Sequence, residues 1–182
     1  MQTRRGSTLK GVITISLMVV NVVFWVPLLL VVALAKLIIP LAAWRRWTSA
    51  LMIWIAQAWI SCNGAIFSLL GALRLEVEGV AGLDPRSWYL VLSNHRSWVD
   101  ILVLQQAFNR RIPFLKFFLK QELIWVPFLG LAWWALDFPF MKRHSATYLQ
   151  KHPEARGEDL DATRKACQRF ALLPTSVMNF VE

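Results

Sequence analysis

An almost unbroken apolar run, Val12 to Ala35, dominates the first part of the chain, with only Thr14, Ser16, Asn21 and Pro27 interrupting it. A bilayer crossing needs about 20 such residues, so the run is long enough to form one helix in lipid. It exceeds the roughly 7 to 15 residues of a signal-peptide core, and a second apolar segment follows, so a cleaved signal fits poorly. That second segment, Thr48 to Leu73, carries Trp54 and Trp59 and is diluted by Gln57, Ser61, Asn63 and Ser68. Between the two, Trp44, Arg45, Arg46 and Trp47 form an amphipathic belt suited to a headgroup zone.

Charge sharpens the reading. No Asp or Glu precedes Glu76, whereas Arg4, Arg5, Lys10, Lys36, Arg45, Arg46 and Arg74 do, so most of the formal net charge of +9 sits in the first 75 residues. Such an excess is a membrane-surface signature. Basic residues lie on both sides of the first segment, which favours a re-entrant or half-inserted hairpin with its ends at one face over two straight spans. The second segment also reads as a buried helix packed on the rest of the chain. A hydrophobic content of 57% is too high for an ordinary soluble domain, and 182 residues leave room for a single domain with a modest core.

At Arg74 the texture changes, dividing a hydrophobic anchor region, 1–73, from a second region, 74–182. Arg74 to Gly79 alternates apolar and charged residues, as a half-buried strand does, and Leu83 to Ser87 supplies a turn. Trp88 to Leu92 reads as a short buried strand. Ser97 is a good N-cap for a helix to about Phe108, with Asn109, Arg110 and Arg111 stopping it. Ile112 to Phe118 reads as a strand, Gly157 to Phe170 as a polar helix with an apolar stripe, and Ser176 to Val181 as a further strand. Strands separated by helices argue for an α/β sheet with flanking helices, preceded by the helical hairpin.

The strand from Trp88 delivers a base. His95 follows it, and Asp100 comes five residues later. Imidazole titrates near neutral pH and takes a proton from an alcohol, while a carboxylate holds the ring in orientation and offsets the charge that forms. Residues five apart do not share one helical face, so His95 belongs in the turn and Asp100 in the first turn of the following helix. That puts His95 at the carboxyl end of a strand, where open α/β sheets bind ligands. The plainer reading of the same pair is a helix-capping aspartate beside a loop histidine.

The longer pattern is more specific. Asn94-His95-Arg96-Ser97-Trp98-Val99-Asp100 resembles the N-H-x-x-x-x-D signature of the glycerolipid acyltransferases, the lysophosphatidate (1-acylglycerol-3-phosphate) acyltransferases and their relatives. Lys120 to Gly130, with its Pro127-Phe128-Leu129-Gly130, resembles the family's second block, and Phe138 to Arg143 its arginine-terminated close. The N-H-R-S-W-x-D wording and the Lys142-Arg143 ending are similar to the lysocardiolipin and lysophosphatidylinositol branch and to a bacterial inner-membrane member. The resemblance covers about residues 75 to 182.

The resemblance implies an α/β acyltransferase fold and transfer of an acyl group from acyl-CoA or acyl-carrier protein to the free hydroxyl of a lysophospholipid, in phospholipid biosynthesis or remodelling. His95 would be the base and Asp100 its orienting acid. Asn94, Arg96, Lys120, Pro127, Gly130, Arg143 and Glu182 would form the substrate-binding set, with Arg143 on the phosphate and Pro127 and Gly130 shaping an acyl-chain wall. Neither metal nor cofactor is implied, because the thioester is already activated. Membrane lipids and the two substrates are the expected partners, nucleic acid is not, and the bacterial inner membrane is the expected location, with the catalytic part on its cytoplasmic side.

Other features leave two readings. Arg110, Arg111, Lys116, Lys120, Lys142 and Arg143 collect phosphate or form a solvated basic surface, the latter being preferred for Arg110 and Arg111. Trp125, Phe128, Trp133, Trp134, Phe138 and Phe140 line an acyl groove, rest in a membrane interface or pack a core. Cys62 and Cys167 have no C-x-x-C spacing and read as free thiols. No zinc constellation, Walker loop, G-x-G-x-x-G or G-x-S-x-G elbow occurs. The family's third block ends in E-G-T-R or E-G-S-R, whereas Asn179-Phe180-Val181-Glu182 reaches its glutamate and stops. This predicts a domain ending inside that motif, a strand 176–181 with an unpaired edge, and a non-catalytic fragment or lipid-binding adaptor as the alternative to an enzyme.

Overall fold

The structure, a computed structural model, describes residues 2–142, 157–170 and 174–181. The chain divides into two compact units, one made of Met1–Gly82 with Ser97–Asn109, the other of Leu83–Arg96 with Arg110–Glu182.

The first unit is helical. Helix α1, Gln2–Ile38, and helix α2, Ala42–Leu70, pack on each other, and both are long and apolar enough to cross a membrane. Along α1, Thr14, Asn21, Val26, Leu29 and Ala33 are buried, while Val12, Ile15, Val19, Val23, Phe24, Val31 and Leu34 stand exposed. The buried positions recur at helical spacing and form one seam. Asn21 crosses that seam, its Nδ2 donating to the Asn63 Oδ1 at 2.9 Å and to the Trp59 carbonyl at 3.1 Å. The short link between the helices is held by the Trp44 Nε1, which donates to the Ala35 carbonyl at 3.0 Å. Helix α2 ends at Gly71, whose φ of 57° lets the chain turn where an L side chain is strained; Gly71 and Ala72 donate to the Ser68 and Phe67 carbonyls.

Helix α3, Trp98–Phe108, completes this unit by docking on α2. The Gln106 Nε2 donates to the Ile60 carbonyl. Asn109 Nδ2 donates to the Gln57 carbonyl at 3.3 Å and to the Ser61 Oγ at 2.9 Å. The side chains of Ser61 and Asn63, two of the polar residues that dilute the second apolar segment, therefore receive partners from Asn109 at the end of α3 and from Asn21 in α1. The expected strand at Arg74–Gly79 is not formed. Alternation gives a segment one apolar side, but a strand also needs a neighbour to pair with, and this one joins no ladder among the described residues.

The second unit is built on a three-stranded parallel sheet in the order β1, Tyr89–Ser93; β5, Ser176–Phe180; β2, Leu115–Phe117. Tyr89 pairs with Ser176 and Ser93 with Phe180 on one side, while Leu115 pairs with Ser176 and Phe117 with Met178 on the other. The strand expected to carry an unpaired edge is the central one, laddered on both sides. The expected burial of β1 also needs correction: among the described residues it is an edge strand, and Leu90 is 68% exposed. An apolar run that suits two covered faces is covered on one. The strand expected from Ile112 is shortened to β2, although Ile112 and Phe114 are buried.

A second, parallel pair, β3, Leu119–Lys120, and β4, Phe140–Met141, brackets the excursion from Gln121 to Pro139. The excursion holds a 3-10 turn, Gln121–Trp125, and helix α4, Leu129–Ala135. Helix α5, Glu158–Phe170, packs near β4, and the Phe170 carbonyl accepts from the Trp88 Nε1 at 2.8 Å. Ile112, Phe114, Leu115, Phe117, Phe138 and Met178 form the unit's core. Lys116 lies over the Phe170 ring, 5.1 Å from its centroid.

Candidate active site

The chain leaves β1 after Ser93 and, two residues on, presents His95 at the carboxyl end of the sheet, as the sequence predicts. The exit is fixed by two bonds: the Val181 N–H donates to the Ser93 carbonyl at 2.8 Å, and the Ser93 hydroxyl donates to the Asn94 carbonyl at 2.9 Å. Asn94, His95 and Arg96 are all exposed. The His95 ring rests on Phe180 with centroids 4.2 Å apart and planes 37° from parallel. Phe180 stacks in turn on Phe117 at 6.0 Å, and Phe117 on Phe138 at 6.4 Å. A row of rings thus runs from the solvent-facing imidazole into the core, giving a flexible side chain a flat, rigid support. Phe180 was not among the sequence candidates; its signal was the register, since it pairs with Ser93, two residues before the histidine.

Asp100 lies in the other unit, in the first turn of α3. Ser97 caps this helix, its Oγ accepting from the Val99 N–H at 3.2 Å, and the Asp100 Oδ2 accepts from the Ser97 N–H at 2.7 Å. The reciprocal pair is a capping box, and a carboxylate there also meets the positive end of the helix dipole. A carboxylate offers about four acceptor positions, so this bond does not exhaust it. The structure therefore gives Asp100 the helix-capping role that competes with the functional one at sequence level, without displacing the latter.

Of the remaining candidates, Lys120 ends β3 with its side chain exposed. Pro127 and Gly130 acquire a structural reason. Leu129 N–H donates back to the Pro127 carbonyl at 2.7 Å, Gly130 N–H reaches the Val126 carbonyl at 2.9 Å, and a Cβ on Gly130 would land on the Ile124 carbonyl. Only glycine permits that approach of two backbones. Arg143 and Glu182 lie outside the described residues. Of the aromatic candidates, Trp125, Phe128 and Trp134 are exposed, Trp133 and Phe140 are half-buried, and Phe138 is core. Cys62 and Cys167 are free thiols.

Comparison with known proteins bears on this arrangement. The family model described as Acyltransferase matches residues 74–169. The 1-acyl-sn-glycerol-3-phosphate acyltransferase alpha proteins of Mus musculus, Homo sapiens and Bos taurus are each 35% identical over 75 residues, covering 41% of this chain and 25% of theirs. The chain thus matches about a quarter of the length of these curated relatives. No solved structure matches it. The family match takes in β1, the His95 turn, α3 and the Pro127–Gly130 segment, and extends over more than half of the sequence, so the chain belongs to the acyltransferase family.

Proposed function

We propose that the protein acylates a lysophospholipid, lysophosphatidic acid being the model acceptor, using acyl-CoA or acyl-carrier protein as donor. The observation that carries this is the exposed His95 at the carboxyl end of β1, within an N-H-x-x-x-x-D sequence inside the family match. His95 removes the proton from the acceptor hydroxyl as its oxygen attacks the thioester carbonyl, and returns a proton to the departing thiolate. Asp100 offsets the imidazolium charge. Base catalysis of this kind typically contributes about 10²- to 10⁴-fold. The basic residues Lys120 and Arg143 take the substrate phosphate, with Asn94, Arg96 and Glu182 around them, and the Pro127–Gly130 backbone shapes the acyl wall. Helices α1 and α2 hold the chain in a bacterial inner membrane as a hairpin with both ends at the cytoplasmic face, and the wording of the motif favours the lysocardiolipin and lysophosphatidylinositol branch.

The test is an acyl-transfer assay of the purified full chain over a panel of lysophospholipids with both thioester donors. Transfer is expected for at least one pair, and His95→Ala should lower it by about 10²-fold or more while leaving the chain in carbonate-washed membranes. Transfer by His95→Ala within a small factor of the parent would remove the histidine from the mechanism. Epitope tags at Met1 and beside Glu76 should both be reached from the cytoplasmic side; a tag at Met1 reached only from the opposite side would replace the hairpin by a single crossing.

A further inference from the structure

The excursion between β3 and β4 has two unlike sides. Inward, Gly130, Ala132 and Ala135 are buried. Outward stand Trp125 at 84% exposure, Phe128 at 51%, Leu131 at 54% and Trp134 at 53%. These four recur every three residues, and the segment's base is clamped by the β3–β4 pair and by the Leu119 N–H donating to the Pro139 carbonyl at 2.9 Å. The outward set is therefore four exposed apolar side chains on an excursion fixed at its base. Large apolar side chains gathered on one short segment are costly to leave in water.

Phe128 adds a second observation. It has φ 62° and ψ −51°, and the 2.7 Å bond from the Leu129 N–H to the Pro127 carbonyl closes a γ-turn around it. This turn is rare, and a non-glycine residue there is strained. Glycine would relieve the strain, yet the position carries a large apolar side chain that stays half in solvent.

We propose that this face is a membrane-insertion element of the sheet-bearing unit, separate from α1 and α2, which seats Trp125, Phe128, Leu131 and Trp134 in the interfacial zone of an anionic phospholipid bilayer. Tryptophan favours that zone because its ring is apolar and its N–H polar. Exposed Lys120 and Lys142 flank the two ends of the excursion, where headgroup phosphates would meet them. The same polypeptide carries two helices long and apolar enough to cross a membrane, joined to this unit by direct peptide connections.

The experiment uses the full chain with Cys62→Ser and Cys167→Ser, and one new cysteine: Trp125→Cys, Leu131→Cys or, as a control exposed on the same unit, Arg86→Cys. Each is labelled with a nitrobenzoxadiazole fluorophore and reconstituted in phosphatidylcholine–phosphatidylglycerol vesicles containing shallow doxyl lipids. All three substitutions lie at exposed positions, and protease resistance equal to the parent's confirms the fold. Labels at 125 and 131 should be quenched at least about twofold more than the label at 86, with blue-shifted emission. Phe128→Gly should leave the thermal midpoint equal or higher while lowering quenching at 131. Equal quenching at 86, 125 and 131 would overturn the proposal. So would quenching at 125 only by a doxyl-labelled acyl thioester, which would make the face an acyl groove, or energy transfer between labelled chains without lipid quenching, which would make it a dimer contact.

Discussion

Asp100 is asked to do two things with one carboxylate, and substitutions separate them. Asparagine keeps an oxygen that accepts the Ser97 N–H, whereas alanine keeps none. Asp100→Ala should therefore cost about 1 kcal/mol of stability through the lost cap, and Asp100→Asn clearly less. Both should lower acyl transfer by about 10²-fold or more, because neither offsets an imidazolium. Thermal unfolding beside the transfer assay reads both quantities; an Asp100→Asn variant with parental activity would confine the residue to capping. At this scale the sequence was legible where a side chain makes its own local bond: the Ser97 cap and the Asp84–Arg86 turn, where the Arg86 N–H reaches the Asp84 Oδ1 at 2.9 Å. It was opaque where the cause is backbone geometry. That Gly130 faces the Ile124 carbonyl and that Phe128 takes a left-handed φ leave no trace in residue type alone.

Among the elements, α3 and α5 were read nearly to the residue, α1 and α2 only as apolar runs with other ends, α4 not at all, and the strands less well. Ser97 caps the start of α3 with its own side chain, whereas a strand is defined by its partner. Hence β5 was found with its length nearly right but with the wrong neighbours, and the alternation at Arg74–Gly79 formed no strand. The central place of β5 sets a prediction. Met178 is 1% exposed and sits where β1 and β2 both meet β5, so Met178→Ala should destabilise the sheet unit by about 2–5 kcal/mol. Leu90→Ala, on the uncovered face of the edge strand, should change stability by no more than about 0.5 kcal/mol. Limited proteolysis across a denaturant series measures the difference, and comparable losses would mean that β1, too, is covered in solution.

Taken whole, the chain forms two compact units that alternate along the sequence. The shift at Arg74 is plain in the sequence, but the return of α3 to α2 is not, because its bonds go to the Ile60 and Gln57 carbonyls inside a helix. Any helical carbonyl has a second lone pair, and no pattern marks which will be used. A chain begun at residue 74 should therefore lose the floor beneath α3. Hydrogen exchange over Ser97–Asn109 is expected to quicken by about tenfold or more, while Ser176–Phe180 keeps its protection. Unchanged protection of α3 would show that it holds its place without α2. The close fit has a further consequence, set by Gly64, where an added Cβ would collide with the Gln106 side chain. A side chain at position 64 would push that amide aside, and with it the bond it gives the Ile60 carbonyl. Gly64→Ala is therefore expected to quicken exchange over Ser97–Asn109 by less than removal of the whole hydrophobic lead does, because only that one amide has to move.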